Sequence, residues 1–241
     1  MRDMSLPSAS RSIESNHHDP IACAVLASGV SMSILALTGS PSSRCLSSAL
    51  TRRAAALLRE RGQRVDILGV DNLPAEDLIQ ARHDGTAAAA LRGWVEQADV
   101  VLLGAFARND CLPCGLIAML DLLDWPPRRG AFAGKIVVPL VTWTSGARLL
   151  AIEQNVKTVL SALHASHVLS GVYAADTQIR LNRRGNAELD GEIDRRLLGL
   201  VDEIIRIARP SRAAWDAVSR SAQTGFRGAV SHTPALARCA V

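Results

Sequence analysis

Two uninterrupted apolar runs constrain this chain most: Asp99 to Gly104 (DVVLLG) and Lys135 to Val141 (KIVVPLV). A run with no polar alternation is a strand buried on both faces, which is the habit of parallel sheets covered by helices. Further strands are expected at 33–38, 64–68 and 167–172. Between them lie helical stripes: 44–61, a short piece at 75–81, 86–97, 115–125, 147–164 and a long amphipathic segment at 188–209. Gly62 stops the first helix, and Pro126-Pro127 halt the 115–125 segment. Strand and helix in alternation predict an α/β chain with a five-stranded, doubly wound parallel sheet, right-handed crossovers and helices on both faces. Ligands of such sheets bind outside the carboxyl ends of the strands. Three loops leave those ends, at 38–45, 104–114 and 142–147, and all are rich in small, polar or turn residues.

The first loop carries the clearest chemistry. Strand 33–38 runs into Thr38-Gly39-Ser40-Pro41-Ser42-Ser43 and then a helix with Leu46, Leu50 and Leu57. Backbone N–H groups, hydroxyls and the positive end of a helix together make an anion site, and phosphate is the expected guest. An ordinary strand-to-helix turn with a good N-cap is the simpler alternative. No Gly-Lys-Ser/Thr follows, so this is not a P-loop, and one glycine is too few for the dinucleotide fingerprint.

Composition narrows the partners. Hydrophobic residues make up 48% and charged residues 21%, so one large core can be buried. Aromatics are 3%, too few for a base-stacking platform, and the arginine behind the +4 net charge lies partly in the C-terminal tail; nucleic acid is therefore not an expected partner. Five widely spaced cysteines do not form a secreted disulfide framework, and a cytoplasmic location is expected. Residues 21–38 are nearly uncharged, yet they are serine-rich, lack a close basic flank and include the first strand, which argues against a membrane span. Residues 1–31 are read as a disordered extension or an artefact of start-site choice ahead of Met32, 32–209 as the folded domain, and 210–241 as a loose tail.

The ordered pieces resemble a known family. Gly39-Ser40-Pro41-Ser42-Ser43-Arg44, Leu73-Pro74-Ala75-Glu76-Asp77-Leu78 with Ala81-Arg82, Gln97-Ala98-Asp99, Leu120-Asp121-Leu122-Leu123 and Lys135 to Leu140 are similar to the NADPH-dependent FMN reductases of sulfonate-utilisation systems. Leu149 to Ile152, Lys157 to Leu163 and Gly171 to Gln178 continue the likeness, which spans residues 33–205. It implies a flavodoxin-like fold that reduces FMN with NADPH or NADH and passes reduced flavin to a monooxygenase that cleaves carbon–sulfur bonds. It also implies a homodimer or homotetramer, for which Leu116, Met119, Leu120 and Leu123 offer a large apolar face. A flavodoxin-like FMN-binding protein without turnover, and a quinone or azo reductase on the same fold, are the alternative functions.

The resemblance also implies site residues. Ser40, Ser42, Ser43, Arg44 and Cys45 would hold the FMN phosphate, with Cys45 in place of the family's hydroxyl residue in a shortened loop. In the second loop Phe106, Ala107, Arg108 and Asn109 replace Thr-Pro-Val-Tyr, which leaves backbone contacts but removes the aromatic cover. In the third, Thr142, Trp143, Thr144 and Ser145 replace a Thr-Gly-Gly-like sequence, and Trp143 either stacks beside the ring or blocks its site. No protein acid or base is required, because hydride transfer belongs to the two cofactors.

Other residues have plainer readings. Cys111-Leu112-Pro113-Cys114 precedes a helix, where thiolate is favoured, but two small residues tolerated in a loop is the preferred reading. His164 and His167 flank a turn, and Asp121 and Asp124 read as helix solvation or oligomer contacts. Arg82 and Asp84 are weaker candidates for substrate or partner contacts, and Asp176 reads as a cap.

Overall fold

Residues 32–42, 44–124, 130–144 and 148–207 are described by a computed structural model. The expected N-terminal extension and the 210–241 tail lie outside these residues, as do Ser43 and Ser145. The strands are β1 (Ser33–Thr38), β2 (Arg64–Gly69), β3 (Val100–Ala107), β4 (Ile136–Trp143), β5 (His167–Val168) and β6 (Val172–Ala175). All pair in parallel in the order β2-β1-β3-β4-β5, with β6 also beside β4. That order, with its switch at β1/β3, is the flavodoxin-like arrangement.

The apolar runs are explained by two covering layers. Leu35, Leu37, Val101, Leu103, Val137 and Val141 face α3 (Thr86–Gln97), α4 (Cys114–Asp121) and α5 (Leu149–Ala162), meeting Leu91, Leu116, Met119, Ile152 and Leu160. Ile34, Ala36, Val100, Leu102, Val138 and Leu140 face α1 (Leu46–Glu60) and a C-terminal helix, α6, over 191–207. Each large side chain buried in this way contributes roughly 1.5–3 kcal/mol. Leu116, Met119, Leu120 and Leu123 are all buried in the first of these layers. The apolar face proposed for self-association is therefore internal, because α4 packs directly on the sheet; its exposed large apolar residue is Ile117.

The fifth strand position is broken into β5 and β6 where the sequence reads one strand, 167–172. Val137 pairs with Val168 and Leu140 with Val172, so two residues of β4 face three of the other chain segment, a bulge. Pro139 lies in that interval and has no N–H to donate to the ladder. Gly171 passes so close that a Cβ there would collide with the Pro139 carbonyl oxygen.

Beyond β6 a 3-10 turn (Asp176–Gln178) leads to the antiparallel hairpin β7 (Ile179–Leu181) and β8 (Ala187–Leu189), which packs on α1. The hairpin occupies the start of the segment whose periodicity predicts a helix from 188. The short helix α2 (Ala75–Ile79) lies in the β2–α3 connection against α4.

Candidate functional site

The loops after β1, β3 and β4 lie at one end of the sheet, and each is anchored differently. The first is drawn inward. Gly39 donates its N–H to the Gly104 carbonyl at 2.9 Å. A Cβ at Gly39 would sit 2.5 Å from the Leu116 Cβ, so the loop lies against α4 only because this residue has no side chain. Ser40 Oγ accepts from the Ser42 N–H and Ser42 Oγ from the Arg44 N–H, both at 3.3 Å, and Cys45 N–H reaches the Ser42 carbonyl at 3.1 Å. These bonds curl the loop over the start of α1.

That helix start is built for an anion. Cys45 stands at the N-cap without a side-chain capping bond, and the first turn holds no acidic residue. The helix dipole therefore goes uncompensated by the chain. A cavity of about 300 Å³ opens beside it, lined by Ser40, Ser42, Ser48, Arg52, Asp71 and Asn72 among others. Ser48 is 4% exposed, and its hydroxyl has no hydrogen-bond partner among the described residues. A buried unpaired hydroxyl costs about 1–3 kcal/mol, which a phosphate oxygen would recover. The loop, the helix start and Ser48 thus fit an FMN phosphate. The Asp71 carboxylate also lines this cavity and disfavours an anion beside it.

Cys45 sits between these groups, its Sγ 3.3 Å from the Ser47 Oγ. Burial alone would push this thiol up, but the Ser40 and Ser47 hydroxyls and the Ser47 and Ser48 amides hold it below its ordinary value. Arg44 is exposed and lines a neighbouring cleft with Arg52, Arg183 and Arg184 rather than the serine-lined one.

The second loop is shorter than the sequence suggests. β3 continues past Gly104, so Phe106 and Ala107 are strand residues, and the Ala107 side chain is buried in the core. The strand persists because Phe106 pairs with Thr142 and Ala107 with Trp143 in β4. The loop proper is a two-residue turn: Arg108 and Cys111 exchange backbone bonds at 3.0 Å, and Asn109 and Asp110 have φ of 50° and 63°. Asn and Asp tolerate that left-handed geometry better than other side chains. The Arg108 guanidinium lies 5.8 Å from the Phe106 ring centroid. Asp110 accepts from the Arg148 N–H at 2.7 Å and its Nε at 3.1 Å, and Asn155 donates to the Asp110 carbonyl at 2.6 Å. The Arg148 amide and guanidinium hold the Asp110 carboxyl below its usual range.

Thr142 and Trp143 end β4, Thr144 is exposed, and Ser145 lies outside the described residues. The half-buried indole packs on the α3–α5 layer between Ala107 and Ala175 in the flanking strands. Its two in-register neighbours are thus small. The Thr142 hydroxyl is fully buried without a partner among the described residues. Tyr173 packs on the same layer, and burial, with Glu153 nearby, pushes its phenol up to about 12, so it is a neutral donor.

Several residues are engaged elsewhere. Arg82 pairs with Glu76 at 2.6 Å and Asp77 at 3.5 Å within its own connection. Asp121 lies 3.6 Å from His83. Cys111 and Cys114 are both free and exposed. Among the described residues, no cluster of His, Cys, Asp and Glu could hold a metal ion, and no helix is long and apolar enough to cross a membrane.

Sequence reasoning missed Ser48, Arg52, Asp110, Arg148 and the arginines of the β7–β8 turn. A serine in the first turn of a helix behind a small-residue loop, and the Asn109-Asp110 pair, were the available signals.

Comparison with known proteins gives the family and the fold. The NADPH-dependent FMN reductase family profile matches residues 32–179. An FMN reductase (NADPH) of Pseudomonas putida KT2440 is 38% identical over 148 residues, 61% of this chain and 73% of the relative. An FMN reductase (NADPH) of Escherichia coli K12 is 36% identical over 148 residues, 61% of this chain and 75% of the relative. Among solved structures, an apo NADH:FMN oxidoreductase superposes with a TM-score of 0.62 at 22% identity, covering 73% of this chain and 89% of that one. The Paracoccus denitrificans flavoenzyme NAD(P)H:(acceptor) oxidoreductase gives 0.56 at 18% identity, over 75% and 98%. The fold of these two is shared, and with the profile and the curated relatives it follows that the chain belongs to the NADPH-dependent FMN reductase family.

Proposed function

We propose that this chain is an NAD(P)H:FMN oxidoreductase that supplies reduced flavin to a flavin-dependent monooxygenase, in the cytoplasm and in the service of sulfonate sulfur assimilation. The observation that carries the flavin part is the α1 start, with no acidic residue in its first turn and a buried Ser48 hydroxyl that has no partner among the described residues. In this reading Ser40, Ser42, Ser43 and Ser48 bind the FMN phosphate, with Arg44 and Arg52 as flanking charges and Cys45 at the helix cap. Arg108 and Asn109 offer backbone groups to the flavin, Thr142, Thr144 and Ser145 border the ring, and Trp143 stacks beside it. Phe106 and Ala107 support that edge from within β3.

When bound, the flavin and the nicotinamide supply the hydride chemistry themselves. The chain's part is to hold them in contact and to exclude water. The Asp110–Arg148 bond keeps the second turn against the start of α5. The sulfonate role rests on the likeness of the sequence motifs to that group of reductases. It is tested by deleting the gene from its host: growth on an alkanesulfonate as sole sulfur source should fail while growth on sulfate continues. Unimpaired growth on the sulfonate would contradict the role. The implied homodimer or homotetramer needs a surface other than the buried face of α4.

A further inference from the structure

We propose that the cleft between the loop after β1 and the β7–β8 turn is a second phosphate site, which takes the adenosine 2′-phosphate of NADPH. The inference rests on the reductase reading and adds Arg183 and Arg184, which lie outside the 32–179 family match, to Arg44 and Arg52 within it. Arg44, Arg52, Arg183 and Arg184 line this cleft, whose volume is about 300 Å³.

The turn that presents the two outer arginines is firmly built. Asn182 Oδ1 accepts from the N–H groups of Arg184 and Asn186, each at 3.0 Å. Gly185 N–H reaches the Asn182 carbonyl at 2.9 Å, and Arg52 donates to the Gly185 carbonyl at 3.1 Å from α1. Arg183 and Arg184 are therefore held beside Arg44 by the fold. Arg53, next to Arg52, pairs with Asp194 at 3.7 Å, whereas Arg44, Arg183 and Arg184 form no ion pair among the described residues. Guanidinium-bearing residues that line one cleft make it positive and favour a multiply charged anion.

Phosphate suits them because each guanidinium offers paired donors to phosphate oxygens. The cleft shares Arg52 with the serine-lined cavity assigned to the FMN phosphate, so the two anion sites adjoin. FMN has one phosphate, already accommodated. The other phosphate-bearing ligand of this reaction is the nicotinamide cofactor, and its 2′-phosphate distinguishes NADPH from NADH.

Two measurements on the full-length, FMN-loaded protein test this. Calorimetry should show adenosine 2′,5′-bisphosphate binding about tenfold or more tighter than adenosine 5′-monophosphate, with the preference lost in Arg183→Ala/Arg184→Ala. The ratio of kcat/KM for NADPH to that for NADH should fall about tenfold in the same variant. Equal binding of the two adenosine nucleotides by a protein that oxidises NADPH would overturn the cleft and leave the reductase standing. An unchanged cofactor ratio in the variant would do the same. A preserved nucleotide preference without any FMN-dependent NADPH oxidation would uphold the cleft and overturn the reductase.

Discussion

Asp110, at the tip of the turn after β3, accepts two hydrogen bonds from Arg148, at the start of α5, at 2.7 Å from its N–H and 3.1 Å from its Nε. This contact ties two of the three loops that border the proposed flavin site. Asp110→Ala should raise the FMN Kd several-fold, whereas Asp110→Asn, which keeps an acceptor for the Arg148 N–H, should do less harm. The carboxyl is held low, so the tie persists at and above neutral pH and is lost only as pH falls through its depressed value. FMN titrations across an acid pH series check both points; equal damage from the two variants would contradict them.

Ser48 should reveal where the phosphate sits. Ser48→Ala removes a hydroxyl that lacks a partner among the described residues, so the flavin-free protein should melt at the same temperature or higher. FMN affinity should fall by about 1 kcal/mol, roughly fivefold, while riboflavin affinity holds. An equal loss for both ligands places the phosphate elsewhere.

The Cys45 thiol predicts an opposite pH trend. Its value is lowered in the folded chain, so the stability linked to its thiolate is lost as pH falls through the folded value. A thiolate at the cap repels a bound phosphate, and FMN affinity should therefore decline as pH rises through that value. Cys45→Ser should flatten the decline in an alkaline titration series.

Gly39→Ala tests the seating of the loop. The new methyl would meet the Leu116 Cβ at 2.5 Å, and relieving that clash costs about 1–3 kcal/mol. Urea unfolding should show a lower midpoint, and FMN should bind more weakly because the loop must lift from α4. A variant as stable as the parent would contradict this packing.

Trp143 discriminates turnover from mere binding. If it stacks beside the flavin, FMN quenches its fluorescence, and Trp143→Gly weakens FMN binding by about 0.5–1.5 kcal/mol or more. If it blocks the ring site, the same substitution improves affinity or turnover, which would favour the non-enzymatic alternative. Weakening is the expected outcome.

What the sequence disclosed follows from which forces are local. β3 and β4 are legible because burial on both faces removes every polar residue from Val100 to Leu103 and from Ile136 to Val141. The end of β3 is not, because Gly104 resembles a stop and only pairing with β4, Phe106 with Thr142 and Ala107 with Trp143, extends the strand. The break between β5 and β6 depends on Gly171 meeting Pro139, residues far apart in the chain. At the site, Ser40 and Ser42 stand out in a small-residue loop. Ser48 looks like any helical serine until the cavity beside it is seen. Arg183 and Arg184 lie in a hairpin whose strands have three residues each, too short for periodicity to separate from the helix that follows.

The most direct test follows NADPH absorbance on protein whose bound flavin has been assayed and removed, with and without added FMN. An FMN reductase should oxidise NADPH slowly without flavin, at a rate that rises and saturates with FMN. Failure of FMN to accelerate NADPH oxidation in a protein that still binds FMN would contradict it.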